Sequence, residues 1–570
     1  DDVEHYVSGL VAYRKFLLGQ VKEIGDPVNR EPSQLDSSIE ETNFWFLNQD
    51  IGFQRSGVEN AALLRSRLFI QELHKAPILV TCRFNPRLNE SIEGLRVAGT
   101  LTKSQLCRSI YDYLQDAEAL PVALNTGRSI EQNPLWAVTH VEGRRDLRVM
   151  DLAGHLLMYV VRNPTTDAIL YINHFCDGLK ICKEIFDSRG HLSCIQYLND
   201  KGLPTIEHYL RPNGTLALVK IYRAHNGKMV LQNIRLCGER GELRASFSSE
   251  EALITHAIAS MLKQTEGKHV LVVDKNRYWY KPAIAARDLI HQQTPNRVVV
   301  VPVIHALHTQ TAQDLHVSPV NSNFKDILAN VQQPDAIVTL TTNQKTDIES
   351  RFGQGRLFPI GHPYQSDRSA SSFDQRDRFR IVCMARYSPE KNHQLAIAAF
   401  AKLAERYPLA RLDFYGFPLS PNKLVTALNA QVQALGLEQR IRLNGWVDDP
   451  AVHYRSAGLS LLTSQAEAFS LTIMESLCHA CPPVAFDVPY GPSQLIQHSR
   501  TGLLVPFGDV DALADAIESI FADPAYQAKL SAQAFLDSNR FKYAEVAAHW
   551  RGLLSSFGVG EVSSVQTSLE

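Results

Sequence analysis

The sequence predicts an α/β protein of two large lobes, the first interrupted by an antiparallel sheet. Three observations carry this. Apolar strand-like runs alternate with helical patterns over 41–129 and again from 246 onward. Between them, over 130–245, short β-rich runs alternate with turn signals. Length does the rest: 570 residues, 45% hydrophobic and 21% charged, are ordinary globular composition, with room for roughly three or four domain-sized pieces.

The elements follow in chain order. Residues 1–40 read as a helical extension, one amphipathic helix over 6–21 and then a polar segment. Its polar face mixes Lys and Glu, so packing on the body or on another subunit fits better than a membrane surface. A strand begins near Phe44-Trp-Phe-Leu47 and leads through Gly52-Phe-Gln-Arg-Ser-Gly57 into a helix through Phe69. Glycine lets a backbone approach a ligand closely, although this loop is not a GxGxxG fingerprint. Ile78-Leu-Val-Thr81 is a second strand. In the insertion, Leu156-Leu-Met-Tyr-Val-Val161, Ala168-Ile-Leu-Tyr-Ile172 and Leu216-Ala-Leu-Val-Lys-Ile-Tyr222 are strands, and Asn213-Gly214 and Asn226-Gly227 are hairpin turns. A helix then covers 251–263. Val270-Leu-Val-Val-Asp274 and Arg297-Val-Val-Val-Val-Pro-Val-Ile304 read as buried parallel strands. His305-Ala-Leu-His308 follows the second, and Ala336-Ile-Val-Thr339 is another strand. The first lobe therefore takes 41–129 and 246–365, with a polar linker over 364–378. The second lobe takes 366–540, and 541–570 hold a final helix over 543–554 and a tail.

The chemistry concentrates in the second lobe. In Glu467-Ala-Phe-Ser-Leu-Thr-Ile-Met-Glu475, seven residues separate two glutamates. A helix start over 470–477 puts Glu467 in the loop feeding the helix and Glu475 about two turns inside it. Backbone N–H groups of Phe469, Ser470, Leu471 and Thr472 would point out of that start, where the dipole also favours an anion. A carboxylate beside such a start suits a phosphorylated sugar. The plainer reading is two surface glutamates, since Glu is common in first turns. Upstream, a strand ends at Ala385 and its loop carries Arg386 and Lys391. A planar fork and a compact mobile charge on one strand-to-helix loop make a diphosphate clamp.

Other signals exclude. A net charge of −2 gives no global field for nucleic acid. No run reaches the roughly 18 apolar residues of a membrane span, and Asp1-Asp-Val-Glu is acidic and lacks a signal-peptide core. Nine scattered cysteines fit reduced cytosolic thiols better than a disulfide framework. Cys478-His-Ala-Cys481 has zinc-like spacing but no second pair nearby, so it reads as a buried structural pair. Asp509 in Asp509-Val-Asp511 precedes a helical pattern and reads as a cap. No metal site is expected.

Taken in order, Arg386, Lys391, the Glu467–Glu475 pattern and the turn Phe486-Asp-Val-Pro-Tyr-Gly491 resemble the C-terminal half of a GT-B glycosyltransferase of glycosyltransferase family 4, which is retaining and uses nucleotide-sugar donors. Two branches look close: the poly(ribitol-phosphate) and poly(glycerol-phosphate) α-glycosyltransferases that decorate wall teichoic acid, and the Ser/Thr glycosyltransferases of bacterial adhesins. The Ser56-Gly57-Val-Glu59 loop, Ile110-Tyr-Asp-Tyr113 and Ile304-His305 resemble their motifs as well, so the resemblance covers about 44–554. It implies a GT-B fold of two Rossmann-like lobes, with the inserted sheet holding an extended acceptor. Arg386 and Lys391 would hold the donor diphosphate, Glu467 would orient the sugar, Glu475 would bind the ribose, and Gly57 would lie by the diphosphate. His305 resembles the active-site histidine, with His308 the alternative. Two departures stand out. The family usually has Gly where Ala468 and Ser470 stand, and a glycine after Gly416 where this chain has Phe417-Pro418.

The function so implied is front-face retaining transfer, without a metal or other cofactor, of glucose or N-acetylglucosamine from a UDP-sugar to hydroxyls of wall teichoic acid. Alternatives are Ser/Thr O-glycosylation of a surface adhesin, and a non-catalytic partner that binds the substrate. All four clamp and glutamate residues are kept, which favours an enzyme. A small-molecule glycosyltransferase would not need the inserted sheet. Arg144, Arg145, Arg148 and Lys180 are available to a polyanionic acceptor. A homo-oligomer or a partner glycosyltransferase subunit also fits the resemblance. The expected location is the cytoplasm, including the inner face of the membrane.

Overall fold

The computed structural model describes residues 37–52, 55–121, 130, 133–364, 373–418, 423–447 and 449–560. The helix expected over 6–21 lies outside them. Among the described residues there are three sheets, of seven, ten and six strands. Compact packing groups Glu41–Glu59 with Ala76–Val300 as one unit, and Asn60–Lys75 with the chain from Val301 onward as a second.

In the first unit, Thr42–Asn48 lies between Lys268–Val273 and Ile78–Thr81, and Cys107–Ser109 flanks the latter; all pair in parallel. Thr42–Asn48 is buried at nearly every position. That is why its apolar residues run on without alternation.

The same unit holds ten antiparallel strands, from Ala137–His140 to Leu243–Phe247, each paired with its neighbour in sequence. Turn chemistry sets the meander. Asn226 and Gly227 both have positive φ, +48° and +73°, the two-residue turn whose twist matches the strands. Asp177-Gly178, at +49° and +76°, repeats it between Ile169–Cys176 and Leu179–Phe186. Leu147, Val149, Val160 and Ile172 form an apolar core on one face, with Trp136 packed against it. A polar network anchors the sheet to the α/β elements. Lys220 Nζ donates to the Tyr111 hydroxyl at 2.6 Å and pairs with Glu250. Glu207 accepts from Tyr209, Tyr222 and Gln196 at 3.0, 2.8 and 2.7 Å. Its acceptors are occupied, as a buried carboxylate requires.

In the second unit, the six parallel strands run Ile441–Asn444, Arg411–Tyr415, Asp377–Met384, Ala457–Leu462, Pro483–Asp487, Leu503–Pro506. In chain order this is 3-2-1-4-5-6, the doubly wound arrangement. The order reverses between Asp377–Met384 and Ala457–Leu462, and a crevice opens beyond the carboxyl ends of strands at such a point. Asp509 caps the helix Val510–Ala522, its carboxylate accepting from the Ala512 amide at 2.9 Å. The last helix, Tyr543–Ser555, buries Trp550 edge-on against Phe69 at 5.4 Å, with Arg65 over its ring.

Strands Asp377–Met384 and Arg411–Tyr415 leave the sheet together. The Ala385 amide donates to the Tyr415 carbonyl at 3.0 Å, and Tyr387 to the Phe417 carbonyl at 3.0 Å. Gly416 sits where they touch: a Cβ there would lie 1.9 Å from the Ala385 carbonyl oxygen. Gly416→Ala is therefore expected to lower stability by about 1–3 kcal/mol, read as a lower urea midpoint with an unchanged m-value.

Candidate active site

The site is built at the strand-order reversal, from two loops of the second unit. The first leaves Asp377–Met384 and carries Arg386 to Lys391. It closes in a 3-10 turn, Pro389–Lys391, and Asn392 takes a left-handed φ of +49° before the helix His393–Ala404. Asn tolerates that conformation better than most residues. The second leaves Ala457–Leu462 and carries Thr463 to Ser470. Two contacts tie the loops: the Thr463 hydroxyl donates to the Lys391 carbonyl at 2.8 Å, and the Gln465 amide to the Glu390 carbonyl at 3.0 Å.

These ties bring Lys391 and Glu467 together. Lys391 Nζ lies 2.6 Å from Glu467 Oε1, with both side chains largely buried, at 17% and 16% exposure. Arg386, on the same loop as Lys391, is about a third exposed, its guanidinium 3.6 Å from Glu390. Burial alone would raise the Glu390 carboxyl, but the Ser388 hydroxyl, with Arg386 and Lys391, holds it below its ordinary range. Each clamp cation thus has a carboxylate of its own, one of which precedes Lys391 directly in the chain.

Glu467 is held by its main chain as well. Its N–H donates to the Pro489 carbonyl at 2.9 Å, and its carbonyl accepts from the amides of Tyr490 and, at 2.8 Å, Gly491. Gly491 permits this approach, because a Cβ there would lie 2.0 Å from the Phe469 carbonyl oxygen.

The helix Leu471–Cys478 begins at Ser470, which has a left-handed φ of +77°. Its hydroxyl caps the Ile473 amide at 3.4 Å. The amides of Leu471 and Thr472 belong to the first turn, whose donors the helix itself does not use. Serine thus occupies a conformation that glycine adopts at less cost. Glu475 lies on the same helix, in electrostatic reach of Tyr364 and Tyr454. Burial pushes its carboxyl up to about 7.

The two histidines part company. His308 is fully buried, with Nδ1 3.0 Å from the Tyr490 hydroxyl, and burial pushes its pKa down to about 4. It is a neutral packing histidine. His305 is only partly buried and stacks on His362, centroids 5.6 Å apart and 13° between planes. His362 meets Phe469 edge-on at 5.1 Å. A ring path thus joins His305 to the residue beside Ser470. Sequence reasoning singled out neither His362 nor Glu390, and met Tyr490 only as part of the turn over 486–491. Gly361-His362 just beyond the strand Leu357–Pro359 was the available signal for the first.

Gly57 belongs to the first unit, where it opens the helix Gly57–Glu72. Ahead of it, the Ser56 amide donates to the Glu59 carboxylate at 2.8 Å, as in a capping box. Lys275 pairs with the same carboxylate at 2.8 Å. Cys478 and Cys481 are buried free thiols, pushed up to about 12 and about 11 chiefly by burial.

A doubly wound sheet with two cations and two glutamates at its reversal point, in a chain that also holds a second parallel sheet and an antiparallel one, defines a class. The chain has the GT-B fold of group 1 glycosyltransferases, and residues 365–537 match the family model "Glycosyl transferases group 1". Among relatives, it is 22% identical to the poly(glycerol-phosphate) alpha-glucosyltransferase of Bacillus subtilis (strain 168), over 90% of this chain and 75% of that one. It is 25% identical to the GtfA subunit of the UDP-N-acetylglucosamine–peptide N-acetylglucosaminyltransferase of Streptococcus gordonii, over 89% and 97%. A crystal structure of an S. aureus TarM mutant with Fondaparinux, alpha-GlcNAc-glycerol and UDP superposes with a TM-score of 0.76 at 17% identity, covering 90% of this chain and 99% of that one.

Glu475 gives the site a pH signature. Its folded pKa, about 7, lies above the ordinary 4.5, so the folded state binds the extra proton between those values. Its contribution to stability therefore falls as pH rises from about 4.5 to 7. Glu475→Gln should flatten that part of the stability–pH curve, measured by thermal melts from pH 4.5 to 8.

Proposed function

We propose that the protein is a retaining α-glycosyltransferase that moves glucose or N-acetylglucosamine from a UDP-sugar to hydroxyls of a wall teichoic acid polymer. The observation that carries this reading is the Lys391–Glu467 contact at the strand-order reversal, with Arg386 on the same loop. A sugar diphosphate supplies a group for each. The diphosphate takes Arg386 and Lys391, and first-turn amides at Leu471 and Thr472 add to the cradle. Glu467 accepts from sugar hydroxyls, Glu475 from the ribose, and His305 faces the transferring sugar.

Transfer then needs little covalent work from the protein. The bond from the anomeric carbon to the diphosphate breaks, and negative charge grows on the leaving oxygens. Arg386, Lys391 and the helix-start amides stabilise that charge, which is larger in the transition state than in the bound donor. The acceptor hydroxyl attacks from the same face, and the leaving phosphate takes its proton. The glutamates are too different in setting to act as a glycosidase pair: one is ion-paired, the other pushed toward neutrality.

The polymer acceptor draws support from the insertion. Arg144, Arg145 and Arg148 are exposed at one end of the antiparallel sheet, where a chain of phosphodiesters would meet positive charge. The Streptococcus gordonii relative keeps a Ser/Thr protein acceptor as the second reading. A mass-spectrometric screen of UDP-glucose and UDP-N-acetylglucosamine against purified teichoic acid and a Ser-rich peptide decides between them.

Two results are expected. Glu467→Gln should lower transfer by at least about a hundredfold while UDP affinity stays near wild type; near wild-type turnover would remove Glu467 from the mechanism. Reversing Arg144, Arg145 and Arg148 to Glu should weaken teichoic acid binding, and the loss should shrink as salt rises. An equal loss for a neutral Ser-rich peptide would argue against the polymer.

A further inference from the structure

The Glu467 main chain is laced to Pro489–Gly491 through its N–H and its carbonyl. Tyr490, at the centre of that segment, is held in turn by its side chain. Its hydroxyl lies 3.0 Å from His308 Nδ1, the rings stack 6.1 Å apart at 21°, and the Asp347 carboxylate is in electrostatic reach of the same hydroxyl. Tyr490 is 2% exposed and His308 not at all. Burial keeps the imidazole neutral and the phenol protonated, so their contact is a neutral hydrogen bond that persists across the physiological range.

Packing alone does not call for these groups. A Phe and a Leu would fill the same space without burying a hydroxyl and an imidazole, each costly unless bonded. What the polar pair adds is direction, because its atoms must meet at a fixed distance and angle. We propose that Tyr490 is a positioning residue for Glu467. Its hydroxyl, held on His308, sets where the Pro489–Gly491 main chain lies, and so where the Glu467 carboxylate meets the donor sugar. The inference rests on the donor role given to Glu467 above.

Tyr490→Phe tests it, with whichever UDP-sugar the screen selects. Turnover should fall by about ten- to a hundredfold, while UDP affinity by calorimetry stays within about twofold and the melting temperature falls by only the few degrees that an unbonded His308 imidazole costs. His308→Asn, whose amide oxygen takes the place of Nδ1, should keep more turnover than His308→Leu. Wild-type turnover in Tyr490→Phe overturns the inference, as does a loss of turnover, UDP affinity and melting temperature in step. Equal rates in the two His308 variants overturn it too, and cover the case in which Tyr490→Phe does not fold. Glu467→Gln is run alongside. If it turns over at the wild-type rate, the donor role falls and takes the inference with it. If it is inactive while Tyr490→Phe keeps wild-type turnover, the inference alone falls.

Discussion

The register of Glu467 against Pro489–Gly491 is the contact on which the site depends. Three main-chain hydrogen bonds fix one residue from both sides, and Gly491 allows the loops to meet backbone to backbone. From that fixed point the carboxylate reaches Lys391, and the chain turns at Ser470 into the helix that carries Glu475. Glu467 meets Tyr490 as an isolated bridge, so a shift of one residue would put Ala466 or Ala468 in its place, and the ion pair would be lost.

On the donor role proposed above, two carboxylates already stand where the anion would bind. Lys391 and Arg386 each have an acidic partner, so the cations are spared isolated burial before any ligand arrives. A bound diphosphate would exchange partners with groups already oriented, which lowers the cost of assembling the charges. Glu475 is tuned the other way, by exclusion of water, and its carboxyl can serve as donor or acceptor near neutral pH.

Much of this was legible in the chain because the signals were local. Glu467 and Glu475 sit on one loop-and-helix unit, and Asn226-Gly227 specifies its own turn by the positive φ that both residues accept. Asp509 announced a cap that its neighbours complete. Ser470, which the resemblance marked as a departure from glycine, falls on a left-handed residue. The unread parts were tertiary. Lys391 meets Glu467, and Tyr490 meets His308, only once distant segments pack. His308 resembled His305 in sequence, yet burial separates them. Several insertion strands were also missed. Leu179–Phe186 places Lys and Glu at half-buried positions, and Asp177-Gly178 is as strong a turn as those that were read.

The meander of the insertion has a consequence for the order of assembly. Every strand in it pairs with its neighbour in sequence, so each hairpin closes only a short loop, the quickest kind of contact to form. During synthesis the sheet can build strand by strand as the chain emerges. Thr42–Asn48 has no such freedom on one side: its partner Lys268–Val273 lies beyond the whole insertion. The segment made first must therefore wait, apolar on both faces, until the sheet between has been synthesised. Through that interval one edge of Phe44-Trp45-Phe46-Leu47 has no strand to pair with.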